Sequence, residues 1–111
     1  MRIVSFIITF IYSVTLFAQE RITLLFVGDL MQHDAQIKSA KTTSGYDYTD
    51  CFKHVKEEIS KADIAVGNLE VTLGGKPYRG YPSFSAPDEF LYAVKDAGFD
   101  VLLTGNNHCL D

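Results

Sequence analysis

Three apolar runs, each ending in a small polar cluster, constrain this chain more than any other feature. "RITLLFVG" spans Arg21 to Gly28 and exits into Asp29 and then His33. "DIAVGNLE" exits through Asn68 and Glu70, and "DVLLT" through Asn106, Asn107 and His108. The first run is apolar, contains β-branched residues and lacks a helical period, so it reads as a buried strand. The second and third read as strands on the same grounds. Such strands must be separated by crossover segments if they are to lie parallel.

The intervening residues supply them. Phe52, Val55 and Ile59 recur at helical spacing with charges between, predicting an amphipathic helix over Asp50 to Lys61 with Asp50 as N-cap. "SAPDE" from Ser85 resembles a capping box with an early proline, predicting a helix that runs to Ala97 and stops at Gly98. The order strand, helix, strand, helix, strand gives an α/β fold with a parallel sheet. Residues 41–50, "KTTSGYDYTD", read as a loop. "TLGGKPYRGYPSFSAP" is long for a connection and reads as an ordered functional loop or lid. Three strands make a thin core, so the fold reads as incomplete.

Composition narrows the class. A chain of 111 residues holds at most one small domain, and 47% hydrophobic with 22% charged residues fits a globular core. The formal charge of -4 leaves no basic footprint for nucleic acid. "MRIVSFIITFIYSVTLFAQE" has one basic residue, Arg2, then an uncharged run from Ile3 to Ala18. It is short for a spanning helix, and Ala18 before Gln19-Glu20 suits signal-peptidase cleavage, so residues 1–18 read as a signal peptide. The competing reading is an uncleaved N-terminal anchor. Under either, residues 19–111 are exported, to the periplasm or cell surface. Cys51 and Cys109 would then meet an oxidising compartment, as a disulfide or as two unlinked thiols.

In parallel α/β sheets, ligands bind outside the C-terminal ends of the strands. Three strands can bring carboxylate, amide and imidazole groups to one spot, and such hard donors suit Mn, Fe, Zn or Mg. A metal there would act on a phosphoryl or carbonyl oxygen and on a bound water. Each residue also has a quieter reading. Asp29 can cap a turn, His33 can be an ordinary loop histidine, and Asn68 can satisfy backbone groups. Glu70 can be solvated, and Asn106-Asn107 can be turn residues. Repetition at three strand ends favours the functional reading. Cys109 reads as a structural or incidental cysteine. On the long loop, Tyr78, Tyr81 and Phe84 either stack on a ligand or pack the loop down. Lys76 and Arg79 either attract an anionic substrate or are solvated.

"FVGDLM", "ADIAVGNLEVTLGG" and "AGFDVLLTGNNHCLD" together resemble the capsule-synthesis protein CapA family, also called poly-γ-glutamate biosynthesis proteins. That family is similar to the calcineurin-like metallophosphatases, and the likeness covers Ile22 to Asp111. It implies the N-terminal part of a metallophosphatase-like α/β sandwich, incomplete in this chain. It also implies one or two divalent metal ions. By this resemblance Asp29 matches the first-strand acidic ligand, and Glu70, beside Asn68, binds a metal or orients a ligand. Asn107 and His108 match the Asn-His pair that binds metal and contacts the scissile phosphate. Asp111 braces His108 or the turn. General metallophosphatases place a histidine two residues beyond the first acid, where this chain has Met31; His33 lies four beyond. Relatives continue past this point with further histidine motifs, so the resemblance implies a fragment that lacks the C-terminal half of its domain.

Three functions follow as expectations. The first is a metal-dependent, phosphatase-type hydrolase serving capsule or poly-γ-glutamate synthesis, acting on an anionic surface polymer or a phosphoester beside the envelope biosynthesis machinery. The truncated chain alone is expected to be inactive. The second is a 5′-nucleotidase-like phosphoesterase, against which Asn-Leu-Glu stands where those enzymes place Gly-Asp. The third is a non-catalytic envelope protein that binds polymer or assembles partners.

Overall fold

The computed structural model describes residues 20–111. The signal-peptide reading of residues 1–18 lies outside the described residues. β1 (Leu24–Leu30), β2 (Ile64–Leu69) and β3 (Val101–Leu103) form one sheet in the order β1-β2-β3. Both pairings are parallel, as the alternation predicts. Four helical segments are described: α1 (Asp34–Ala40), α2 (Thr49–Phe52) and α3 (Lys56–Ile59) connect β1 to β2, and α4 (Asp88–Asp96) precedes β3. No helix of the described residues is long and apolar enough to cross a membrane.

The period of two in the strands divides the sheet into unlike faces. Ala65, Leu69 and Leu30 point to the helices and are buried with Phe84, Phe90, Val94 and Phe99. Gly67 belongs to this inner face. A Cβ there would stand 2.6 Å from Leu30 Cδ1 and 3.1 Å from Phe99 Cε1, so only glycine fits without a shift. The ladder partners Leu24 and Ile64, Phe26 and Val66, and Val101 occupy the other face. That face is largely bare, with Phe26 69% and Leu103 52% exposed. The expectation of a buried first strand is therefore corrected. β1 is an edge strand with one side against the core, and no layer of the described residues covers the other.

The helix expected over Asp50 to Lys61 is two short ones, because a turn at residues 53–55 separates α2 from α3. Val55 sits at helical spacing but is exposed, whereas Ile59 is buried. Asp50 does not cap α2. Asp47 Oδ1 accepts both the Thr49 N–H, at 2.9 Å, and the Thr49 hydroxyl, at 2.6 Å. The cap of α4 also differs from expectation. Pro87 holds the N-cap position, and Ser85 Oγ instead donates to Gly75 O at 2.7 Å. Gly98 ends the helical segment in a left-handed conformation, φ 105°, as its sequence position implies.

Residues 72–87 are held by hydrogen bonds among themselves and to α1. Arg79 and Ser85 exchange backbone hydrogen bonds at 3.0 Å in both directions. Thr72 Oγ1 donates to Phe84 O at 2.6 Å, and the Ala86 N–H to Thr72 O at 2.8 Å. The loop folds back over α1, where Asp34 Oδ1 accepts the Gly80 N–H at 2.6 Å. A Cβ on Gly80 would meet the Asp34 nitrogen at 2.6 Å, so this close approach requires glycine.

Candidate active site

A bulge in β1 positions the first acid. The ladder pairs Val27 with Gly67 and then Asp29 with Asn68, leaving Gly28 without a partner. The extra residue brings Asp29 level with Asn68 across the ladder. Asn68 Nδ2 donates to Asp29 Oδ1 at 2.8 Å and to Glu70 Oε2 at 2.9 Å. One amide thus holds two carboxylates from neighbouring strand ends.

A second amide holds the first. Asn106 Nδ2 donates to Asn68 Oδ1 at 3.0 Å and to Leu69 O at 2.9 Å. Asn106 Oδ1 accepts the His108 backbone N–H at 2.9 Å. The turn after β3 is thereby fastened to β2. His108 Nδ1 lies 2.7 Å from Asp111 Oδ2, and that same oxygen accepts the Phe84 N–H at 2.6 Å. The His108 ring stands edge-on to Phe84, with centroids 4.7 Å apart, and His33 meets Phe84 the same way at 5.4 Å.

Electrostatics follow from this packing. Burial raises the pKa of Glu70 above its ordinary value, and the neighbouring Asp29 carboxyl raises it further. The charge of His108 and the Asn68 amide act in the opposite direction. The Phe84 N–H holds Asp111 below the usual range, with His108 and Arg79 lowering it further and burial opposing them.

The structure therefore brings Asp29, Asn68, Glu70, His108 and Asp111 into one connected group. His33 joins it only through Phe84, as the N-terminal neighbour of α1. Asn107 is exposed on the turn between Asn106 and His108. Arg79 lies on the long loop, close enough for its charge to act on Asp111. Glu70 is buried rather than solvated, and Asn106 is a connector between strands rather than a simple turn residue. Gln32 escaped the sequence reading altogether. It is fully buried, accepts the Tyr48 hydroxyl with Oε1, and reaches Ser85 O at 3.5 Å. Its only sequence signal is its place in the polar exit of β1.

Among the described residues, no three Asp, Glu, His or Cys side chains converge at metal-binding spacing. The pair Asp29 and Glu70 nevertheless suits a hard cation, since two adjacent carboxylates sharing one amide donor are relieved by positive charge. These residues amount to part of a ligand set. Cys51 and Cys109 are both free, so no disulfide ties the group.

Fold and strand-end group together define an α/β chain with a polar site at the carboxyl edge of a parallel sheet. The family model described as "Bacterial capsule synthesis protein PGA_cap" matches residues 23–111. The chain is 34% identical over 98 residues to the Bacillus anthracis protein named "Capsule biosynthesis protein CapA". This match covers 83% of the chain and 23% of that relative, so the chain spans about a quarter of its length. No solved structure matches. The chain belongs to the bacterial capsule synthesis protein family.

Proposed function

We propose that this chain contributes the N-terminal portion of a metal-dependent, phosphatase-type hydrolase that serves capsule synthesis at the cell envelope. The observation that carries the reading is the Asn68 amide spanning Asp29 and Glu70, with Asn106 relaying it to the His108 turn. Asp29 and Glu70 would hold a divalent cation, with Asn107 and His108 completing its near side. That cation would supply Lewis-acid polarisation of the scissile group.

The chain's own residues have separate tasks. Asp111 holds His108 Nδ1 and so orients Nε2 toward a substrate, from which position it can donate a proton or stabilise developing charge. The Asn107 amide, exposed beside it, can donate to the same oxygen. His33 and Arg79 flank the group from α1 and the long loop. The bare outer face of the sheet supports a larger domain in which further polypeptide covers it. Since the described residues supply part of a ligand set, the 111-residue chain alone is inactive in this reading. Export by residues 1–18, an anionic polymer or phosphoester substrate, and envelope biosynthesis partners belong to it too.

The test is hydrolysis of bis(p-nitrophenyl) phosphate and of capsular polymer by the longer protein. Manganese, magnesium, iron and zinc would each be tried against a chelator. Asp29→Asn and His108→Ala should each abolish turnover while leaving the circular-dichroism spectrum intact. Turnover that survives both substitutions and the chelator would sink the reading, and absence of turnover with every metal would favour a non-catalytic polymer-binding role.

A further inference from the structure

The long loop has two unlike sides. Residues 78–83 line an open cleft of about 740 Å³, together with Lys38, Lys41 and Tyr46. Phe84 follows them and turns inward, 1% exposed, against the strand-end group. It meets that group through two different parts of one residue. Its N–H donates to Asp111 Oδ2 at 2.6 Å, the same oxygen that lies 2.7 Å from His108 Nδ1. Its ring stands edge-on to His108, with centroids 4.7 Å apart, and edge-on to His33 at 5.4 Å.

We propose that Phe84 is the positioning residue of His108, and that through it the long loop sets the aim of the imidazole. An imidazole held by a single hydrogen bond is free to swing about it, and a carboxylate that accepts only that bond swings with it. Here the Phe84 N–H pins the accepting oxygen, while the Phe84 ring limits rotation of the imidazole it faces. A carboxylate only accepts, so Nδ1–H is the donor to Asp111, and neutral His108 carries its lone pair on Nε2. Both restraints act on the Nδ1 side and the ring plane. The direction they fix is that of Nε2.

Phe84 can brace His108 because its own position is set elsewhere. Thr72 Oγ1 donates to Phe84 O at 2.6 Å, and Ser85, the next residue, exchanges backbone hydrogen bonds with Arg79. Gln32, fully buried, reaches Ser85 O from the exit of β1. None of these anchors involves His108 or Asp111, so the brace does not depend on the groups it positions. A phenylalanine that only filled the core would need neither the bond to Asp111 nor a place between two histidines. The buried Phe90 and Phe99 pack on the rings of Tyr48 and Phe52 instead. The proposal goes beyond the hydrolase reading and rests on it only for the use to which Nε2 is put.

The test uses the full chain with nitrogen-15-labelled histidine, in chelator, at about pH 8, where free imidazole is neutral. His108 should show the Nδ1–H tautomer alone, and its ring protons should give nuclear Overhauser contacts to the Phe84 ring. Phe84→Leu keeps an apolar side chain but loses the ring, and should give averaged His108 nitrogen shifts. Phe84→Met provides a second such change, and circular dichroism checks that each variant folds. His54, exposed on the turn between α2 and α3, should not move. Nor should His108 in Tyr92→Leu, which removes an exposed ring from α4. In the longer protein, kcat on bis(p-nitrophenyl) phosphate should fall about tenfold in Phe84→Leu while KM holds. Identical His108 shifts in the parent and both Phe84 variants would overturn the proposal. So would averaged shifts or absent Overhauser contacts in the parent, a result that needs no variant to fold. An unchanged kcat in an active longer protein would overturn it too. A longer protein without turnover would remove the hydrolase reading, and the nitrogen shifts alone would then decide the role of Phe84.

Discussion

Asn106 and Asn68 stand amide to amide, 3.0 Å apart, across the exits of β3 and β2. Asn68 fixes both carboxylates, and Asn106 fixes Asn68. Asn106→Ala removes donors to Asn68 and Leu69 and an acceptor for the His108 N–H. The expected cost is about 1–3 kcal/mol, since partly buried partners lose their hydrogen bonds. Urea denaturation checks this, and Asn106→Asp should recover the His108 contact but not the donation to Asn68.

Glu70 carries a pH signature. Its folded pKa is raised, by burial first and then by Asp29, so the folded state holds a proton more tightly than the unfolded chain. Its contribution to stability is fully present below the unfolded carboxylate value, about 4.3, and is lost as pH rises through the raised folded value. In chelator, Glu70→Gln should therefore melt higher than the parent at pH 7 and converge with it near pH 4. Added manganese should raise the parent's melting temperature and leave Glu70→Gln nearly unmoved. Thermal melts at the two pH values, with and without metal, decide it. A parent that gains nothing from manganese or magnesium would count against a cation between Asp29 and Glu70.

Gly67 tests the inner face of the sheet. An alanine Cβ would press on Leu30 and on the Phe99 ring, both buried, and such overpacking typically costs about 1–3 kcal/mol. Gly28→Ala is the matched comparison, because nothing lies within 4 Å of its Cβ position. Denaturant midpoints should fall clearly for Gly67→Ala and stay within about 0.5 kcal/mol for Gly28→Ala.

The parallel sheet was legible because strand runs and polar exits repeat in the sequence, and the structure keeps all three. The helices were less so. Phe52, Val55 and Ile59 have helical spacing, but the chain turns between α2 and α3 and leaves Val55 outside. α1 has no apolar stripe to announce it. Its start is fixed by the His33 N–H donating to Gln36 Oε1 at 2.7 Å, and only Ala40 is buried. At the site, the carboxylates and His108 could be named from residue type and position. The roles of Asn106 and Gln32 depend on which strand and loop lie opposite them, and no local pattern encodes that. The cleft was half visible, through Arg79 and the loop tyrosines, while Lys38, Lys41 and Tyr46 join only once the loop folds over α1.

The bare side of the sheet bears on more than solubility. Asn68 follows Val66 by two residues on β2, and its ladder partners are Asp29 and Leu103, so the acid pair borders the same exposed hydrocarbon as Phe26 and Val101. Water now reaches that border. Any polypeptide laid over Phe26 and Leu103 would drain it and lower the local permittivity around Asp29, strengthening each charge interaction there severalfold. In the proposed metal-dependent reading, a layer covering Phe26 would thus set part of the site's strength, and Phe26→Ser in a longer protein would be felt as weakened ion affinity at Asp29 and Glu70.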